Sequence, residues 1–427
     1  MNENDSEKIA GMLMELGLSE SNYTSADLVL FNTCSIRGNA DEKFFGHLGA
    51  AKARKAKEPD MLIAVCGCFA QQDGAAEEIM SKYPVDIIFG THNLSSLEEL
   101  LTKRIETGKT QREILEDSDI EEGLPIKRSY AHKAFVTIMN GCDNYCSYCI
   151  VPFARGREKS REAANIITEI KDLAANGCKE VMLLGQNVNS YGIKSNFIER
   201  FSDLLLDVAV VKGIERIRFM TSHPKDFGVD IIEAINASNK ICNSIHLPLQ
   251  SGSSKILASM NRVYSKEWYL DLAANIRESI KGVSITTDII VGFPGEEDWD
   301  FEQTMEVMDK CKFEGAFTFI FSPRKGTKAY NLDNVVPEHV IKERFNYLVA
   351  FQNNIMAQDS ERYVGTSQEI LVDGPSTKNM NILSGRTMSN KLVNFTGQAQ
   401  AGETVFVKIT EGKPSHLFGH IEERKWV

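Results

Sequence analysis

Between residues 134 and 321 six short apolar runs recur, with helical patterning between them: Ala134–Met139, Glu180–Leu184, Ile214–Met220, Asn243–Leu247, Ser284–Val291 and Ala316–Phe321. Strands that alternate with helices call for a parallel sheet, because each parallel connection needs a crossover. Six such units build an incomplete barrel, whose open side admits a bulky substrate. Its chemistry is expected at the C-terminal ends of the strands. The loop directly after the first run carries Cys142, Cys146 and Cys149 in C-x3-C-x2-C spacing.

Thiolates are the usual ligands of iron–sulfur clusters. A cubic cluster has four irons and this motif holds three, so one iron stays open to bind and activate a small molecule. A zinc site normally offers a second Cys-x2-Cys or His pair, and none follows nearby. A disulfide framework needs an oxidising compartment. Nine cysteines is an odd count, and Met1-Asn2-Glu3-Asn4-Asp5-Ser6-Glu7 lacks the basic and apolar regions of a secretory signal.

The chain has 427 residues, 42% hydrophobic and 25% charged, as expected of a globular protein with two or three domains. No apolar run reaches membrane-spanning length, and a reduced, cytoplasmic protein is expected. The net charge of −11 argues against a blanket nucleic-acid coat but leaves room for a local basic site. From Glu361 onward eight Lys+Arg face seven Asp+Glu, so the deficit lies in the rest of the chain.

The N-terminal region reads as a small parallel α/β domain. Asn4 and Glu7 have capping-box spacing before Ile9, Leu13 and Leu16. Strand runs end at Cys34, at Cys66-Gly67-Cys68 and at Gly90. An acidic stretch from Glu116 to Gly123 reads as a linker. Pro337 starts a long helix. Beyond Tyr363, short β-type runs and Gly/Asn turns read as a small antiparallel barrel of about five strands, a module often used on nucleic acids. The expected division is 1–115, linker 116–129, 130–360 and 361–427.

Together these features resemble the methylthiotransferases, a branch of the radical S-adenosylmethionine enzymes, over nearly the whole chain. The matching residues include Asn32-Thr33-Cys34-Ser35-Ile36-Arg37 and Gly67-Cys68-Phe69-Ala70-Gln71. They also include the three-cysteine loop with Tyr148, running into Val151-Pro152-Phe153-Ala154-Arg155-Gly156, and Leu184-Gly185-Gln186-Asn187. Asn4-Asp5-Ser6-Glu7-Lys8-Ile9-Ala10-Gly11, Arg157-Glu158-Lys159-Ser160-Arg161, Val188-Asn189-Ser190-Tyr191, Ser222-His223-Pro224-Lys225, His246-Leu247-Pro248-Leu249-Gln250-Ser251-Gly252-Ser253 and Gly292-Phe293-Pro294-Gly295-Glu296 belong to the match as well. Within the family the chain is most similar to the synthases of 2-methylthio-N6-dimethylallyladenosine in tRNA.

The resemblance implies an N-terminal methylthiotransferase domain, an open (βα)6 partial TIM barrel, and a C-terminal TRAM barrel that grips tRNA. It implies two [4Fe-4S] clusters and S-adenosylmethionine. The cluster on Cys142, Cys146 and Cys149 cleaves S-adenosylmethionine to a 5′-deoxyadenosyl radical that attacks C2 of the adenine. Sulfur comes through the second cluster, and another S-adenosylmethionine gives the methyl group. Cys34 and Cys68 match two ligands of the second cluster. The third family cysteine belongs ahead of Met1-Asn2, so the chain is expected to begin inside the family sequence without that first strand. Cys66 is either a substitute ligand, two residues from Cys68 on the same strand face, or a buried structural thiol.

The remaining candidates carry two readings each. Tyr148 stacks near the cofactor adenine or simply packs. Gly185, Gln186, Ser222 and Gln250 line the cofactor pocket or serve as turn and cap residues. Arg155, Arg157, Lys159 and Arg161 contact phosphate or a cofactor carboxylate, or form an exposed charged segment. Arg386, Lys391 and Lys408 are phosphate contacts or solubilising charges. Cys178, Cys242 and Cys311 are expected to be buried thiols, and His223 and His246 structural. The expected partners are the tRNA anticodon stem-loop and an electron donor such as flavodoxin or ferredoxin, with the protein a monomer. Alternative targets are threonylcarbamoyl-adenosine in tRNA or a ribosomal protein; a catalytically impaired tRNA-binding form is the other reading.

Overall fold

The computed structural model describes residues 1–34, 38–195, 199–377 and 379–422. The Ser35-Ile36-Arg37 part of the family motif lies outside them. The chain divides into two compact units. One comprises Met1–Ser129, Thr137–Arg161 and Ser322–Asn331; the other comprises Tyr130–Val136, Glu162–Phe321 and Leu332–Val427. By its packing the three-cysteine loop therefore groups with the N-terminal sheet, whereas a linear division at residue 130 assigns it to the barrel.

In the first unit α1 (Asn2–Glu15), β1 (Leu28–Thr33), α2 (Gly38–Lys55), β2 (Leu62–Gly67), α3 (Ala75–Lys82), β3 (Ile87–Phe89), α4 (Leu97–Thr107) and β4 (Gln111–Glu113) alternate. The sheet is fully parallel in the order β1-β2-β3-β4. Strand alternation sends Ile63, Val65 and Ile88 to one face, with Phe44 and Leu48. Ala64, Cys66, Ile87 and Phe89 go to the other, with Ile9, Met12 and Leu97. Both faces are covered, as a parallel sheet requires. The edge strand β4 is polar, so no apolar run announces it. The helix α1 begins before the expected cap. Asn4 and Glu7 lie inside it, where Asn4 Oδ1 accepts from Thr137 Oγ1 at 2.9 Å and Glu7 Oε1 from the Ser129 N–H at 2.9 Å.

After β5 (Lys133–Thr137) come β6 (Met139–Asn140), α5 (Val151–Arg155) and β7 (Lys159–Ser160); β6 and β7 pair antiparallel. In the second unit α6 (Ala163–Ala175), β8 (Glu180–Leu184), α7 (Phe201–Ala209), β9 (Arg216–Phe219), α8 (Val229–Ala237) and β10 (Ser244–His246) alternate. Then follow α9 (Ser254–Ser259), α10 (Lys266–Ser279), β11 (Ser284–Val291), α11 (Asp298–Cys311), β12 (Gly315–Ile320) and α12 (Glu338–Glu361). The strands run β5-β8-β9 and β10-β11-β12, with a parallel bridge between Ile217 and Ile241 joining the two sets. This is the open six-stranded barrel. Pro337 caps α12, as its fixed φ predicts.

The C-terminal strands β13 (Ser367–Ser376), β14 (Asn379–Arg386), β15 (Leu392–Thr396), β16 (Thr404–Lys413) and β17 (His416–Ile421) close in the order β13-β14-β15-β17-β16. Their inner side chains include Ile370, Val372, Val393, Phe395, Val407, Ile409 and Leu417. The barrel is not wholly antiparallel: β15 and β17 run parallel. An odd number of strands cannot alternate direction all the way around a closed ring, so one parallel pair is forced.

Candidate functional site

The three-cysteine loop is shaped from its first residue. Gly141 has φ +74°, and a Cβ there would lie 2.0 Å from the Arg157 carbonyl oxygen, so only glycine fits. The Cys142 N–H then reaches Gly156 O at 3.2 Å, and the Cys149 N–H reaches Cys146 O at 2.9 Å. Asn144 Nδ2 donates to Cys142 Sγ at 3.3 Å. Cys146 is buried, Cys142 and Cys149 are half-buried, and none is in a disulfide. Burial pushes the Cys142 thiol up, opposed by hydrogen bonds from Asn144. Among the described residues no three His, Cys, Asp or Glu side chains converge on a single metal ion. A cubic cluster binds each thiolate to a different iron, so its ligands stand apart. Three thiols on one fixed loop fit that group.

Cys34 and Cys68 follow β1 and β2 at the C-terminal ends of two adjacent parallel strands. The register pairs Thr33 with Gly67, and the Cys68 N–H bonds Thr33 O at 3.0 Å. Cys68 is 7% exposed, and its sulfur accepts from Arg155 Nε at 3.2 Å. Arg155 Nη2 meets Asp5 Oδ2 at 2.5 Å. Burial pushes the Cys68 thiol up and the guanidinium pulls against it. A buried sulfur that accepts from a cation is suited to a metal-bound thiolate. Cys66 is different: it is fully buried beside Ile9, Met12 and Phe89, and burial holds its thiol well above the usual range. Gly67, between Cys66 and Cys68, has φ +93°, a left-handed conformation that suits glycine. The structural reading of Cys66 is the one its surroundings favour.

The basic segment divides on inspection. Arg155 is 5% exposed and engaged by Asp5 and Cys68, which leaves no face for phosphate. Arg161 is buried against Glu122 at 3.0 Å and Thr137 O at 2.6 Å. Lys159 bonds Asp117 at 3.0 Å. Arg157 alone of the four is well exposed, forked onto Asp143 at 2.8 and 3.1 Å. In the second unit, Lys391 is half-buried in an ion pair with the buried Asp359 at 2.5 Å, and Arg386 Nη1 bonds Asn390 O at 3.0 Å. Arg155, Arg161 and Lys391 are each already paired within the protein, which favours the structural reading for them over phosphate contact.

Strand ends of the second unit carry the expected cofactor residues. Gly185 and Gln186 follow β8, Ser222 follows β9, and Gln250 follows β10. Gln250, at φ +75°, bonds Asp288 O through its N–H at 2.8 Å. Ser222 is fully buried, and among the described residues its Oγ has no hydrogen-bond partner; the same holds for Gln186 Oε1 and for both amide atoms of Asn189. Buried polar atoms are normally paired, so this edge suits a polar ligand such as S-adenosylmethionine. Tyr148 is half-buried on the loop of the first unit. His246 bonds Thr286 Oγ1 at 3.0 Å and lies 3.4 Å from Asp288. His223 accepts the Lys225 N–H, and burial with Arg262 nearby pulls its imidazole down to about 2. Cys178, Cys242 and Cys311 are buried, as expected. Asp5, Asn144 and Asn189 lie within motifs that the sequence marks out, but spacing gave them no individual role, because each role depends on a group brought close only by the fold.

Residues 136–308 match the radical SAM superfamily, residues 1–90 the uncharacterized protein family UPF0004, and residues 361–421 the TRAM domain. Among solved structures, the radical S-adenosylmethionine methyltransferase TsrM from Kitasatospora setae, with cobalamin and a [4Fe-4S] cluster bound, shares the fold. It has a TM-score of 0.57 at 15% identity over 76% of this chain and 70% of that one. The tRNA-2-methylthio-N(6)-dimethylallyladenosine synthase of Clostridium tetani is 51% identical over 96% of this chain and 92% of its own length. The same-named protein of Clostridium botulinum strain Alaska E43 is 49% identical over 99% and 94%. With that identity along nearly its full length, the chain belongs to the tRNA-2-methylthio-N(6)-dimethylallyladenosine synthase family of radical S-adenosylmethionine proteins.

Proposed function

We propose that this chain is the methylthiotransferase that converts N6-dimethylallyladenosine next to the tRNA anticodon to its 2-methylthio derivative. The observation that carries the reading is the fixed loop presenting Cys142, Cys146 and Cys149 in a chain 51% identical to a synthase of that name. The relatives' names favour this target over threonylcarbamoyl-adenosine or a ribosomal protein. When bound, a cluster with an open iron and S-adenosylmethionine supply the radical chemistry that an unactivated C–H demands. The chain's own residues bind and orient. Gly141 and Asn144 shape the thiol loop, Ser222, Gln186 and Asn189 offer polar atoms to the cofactor, and Cys34 and Cys68 serve a second cluster. Arg157 and the C-terminal barrel meet the anticodon stem-loop, whose target base is splayed out for access. The protein works as a cytoplasmic monomer supplied with electrons by a flavodoxin or ferredoxin. Among the described residues no helix is long and apolar enough to cross a membrane.

The test is anaerobic incubation of reconstituted protein with reductant, S-adenosylmethionine and a stem-loop containing N6-dimethylallyladenosine. Mass spectrometry of the digested nucleosides should show a gained methylthio group. Release of 5′-deoxyadenosine with no methylthiolated nucleoside would sink the reading.

A further inference from the structure

We propose that Arg155 is a positioning residue that fixes the Cys68 sulfur against the segment carrying Cys142, Cys146 and Cys149, and so couples sulfur delivery to radical formation. This rests on the function proposed above. Arg155 and Cys68 lie 87 residues apart in sequence and meet at 3.2 Å. The arginine is the last residue of α5, which begins two residues after Cys149. The last two residues of that helix are held by the N-terminal elements, and the Gly156 that follows lies close against His92. Thr91 Oγ1 donates to Ala154 O at 2.6 Å, Arg155 reaches Asp5 and Cys68, and a Cβ at Gly156 would lie 3.2 Å from His92 Cε1. The guanidinium acts as a rigid fork: one N–H points at sulfur and another at carboxylate, in fixed directions. Lysine keeps the charge but cannot hold both partners in that geometry. Hydrogen bonds to cluster sulfurs set a cluster's electronic properties, and outer groups that orient ligands affect activity strongly.

Two full-length backgrounds test this. In the first, C142A/C146A/C149A removes the loop ligands. After reconstitution this protein should still hold iron, and adding R155K should change its low-temperature EPR spectrum. In the second, R155K alone should lower the ratio of methylthiolated nucleoside to 5′-deoxyadenosine by about tenfold. An iron-free triple variant overturns the proposal, as does an R155K protein with the wild-type spectrum and ratio. Product and 5′-deoxyadenosine falling in parallel, together with the melting temperature, also overturns it, because that marks a purely structural ion pair. If the wild type makes no methylthiolated nucleoside, the function proposed above fails, while the iron and EPR measurements still decide the role of Arg155.

Discussion

Asp5 and Arg155 form a buried ion pair, 2.5 Å from Oδ2 to Nη2, with side chains 8% and 5% exposed. Removing one partner of such a pair strands a charge in low dielectric and destabilises by about 3–5 kcal/mol. Asp5→Ala should therefore lower the melting temperature by about 5–10 °C, and the double variant D5A/R155M should recover part of that loss. Calorimetry of the apoprotein checks both.

Gly141→Ala places a methyl group 2.0 Å from a backbone oxygen and forces φ +74° on an L side chain. The loop start must move, and the thiols with it. Reconstituted iron should fall by about four atoms per chain, one cubic cluster, and 5′-deoxyadenosine release should be lost. Iron assay and chromatography read the two effects.

Ser222→Ala removes a buried hydroxyl that has no protein partner among the described residues. A hydrogen bond made only to a ligand contributes about 1 kcal/mol, so affinity for S-adenosylmethionine should fall about fivefold to tenfold. The melting temperature of the apoprotein should stay within about 2 °C, since no protein–protein bond is lost. Equilibrium dialysis and a thermal melt check the pair of outcomes.

Arg157 and Lys391 separate contact from scaffold. Arg157→Ala should weaken stem-loop binding and reduce the salt slope by about one. Lys391→Ala leaves Asp359 buried without its cation, so it should lower the melting temperature and leave the salt slope unchanged. Anisotropy titrations across salt concentrations distinguish them.

His223 gives a pH signature. Its folded-state value, about 2, lies below the 6.5 of a free imidazole because burial opposes the charge. The unfolded chain takes up the proton first, so the stability contributed by the neutral form is complete above pH 6.5 and is lost as pH falls toward 2. The slope reaches about 1.4 kcal/mol per pH unit inside that window. His223→Gln should flatten this part of the profile in urea melts between pH 7 and pH 5.

Much of this protein is written in local patterns. The C-x3-C-x2-C spacing, the six strand runs and Pro337 ahead of α12 each act over a few residues, so the sequence alone determined the cysteine loop, the open barrel and the long helix. The polar edge strand β4 escaped because no apolar run marks it. The parallel pair in the C-terminal barrel follows from ring closure, which no single strand encodes. Tertiary structure alone decided that Arg155 faces Cys68 and Asp5, that Lys391 pairs with Asp359, and that Cys66 packs in the core beside Ile9 and Phe89. The physical reason is the same in each case. A charge or thiol takes its role from desolvation and from the partner across space, and that partner lies tens to hundreds of residues away along the chain.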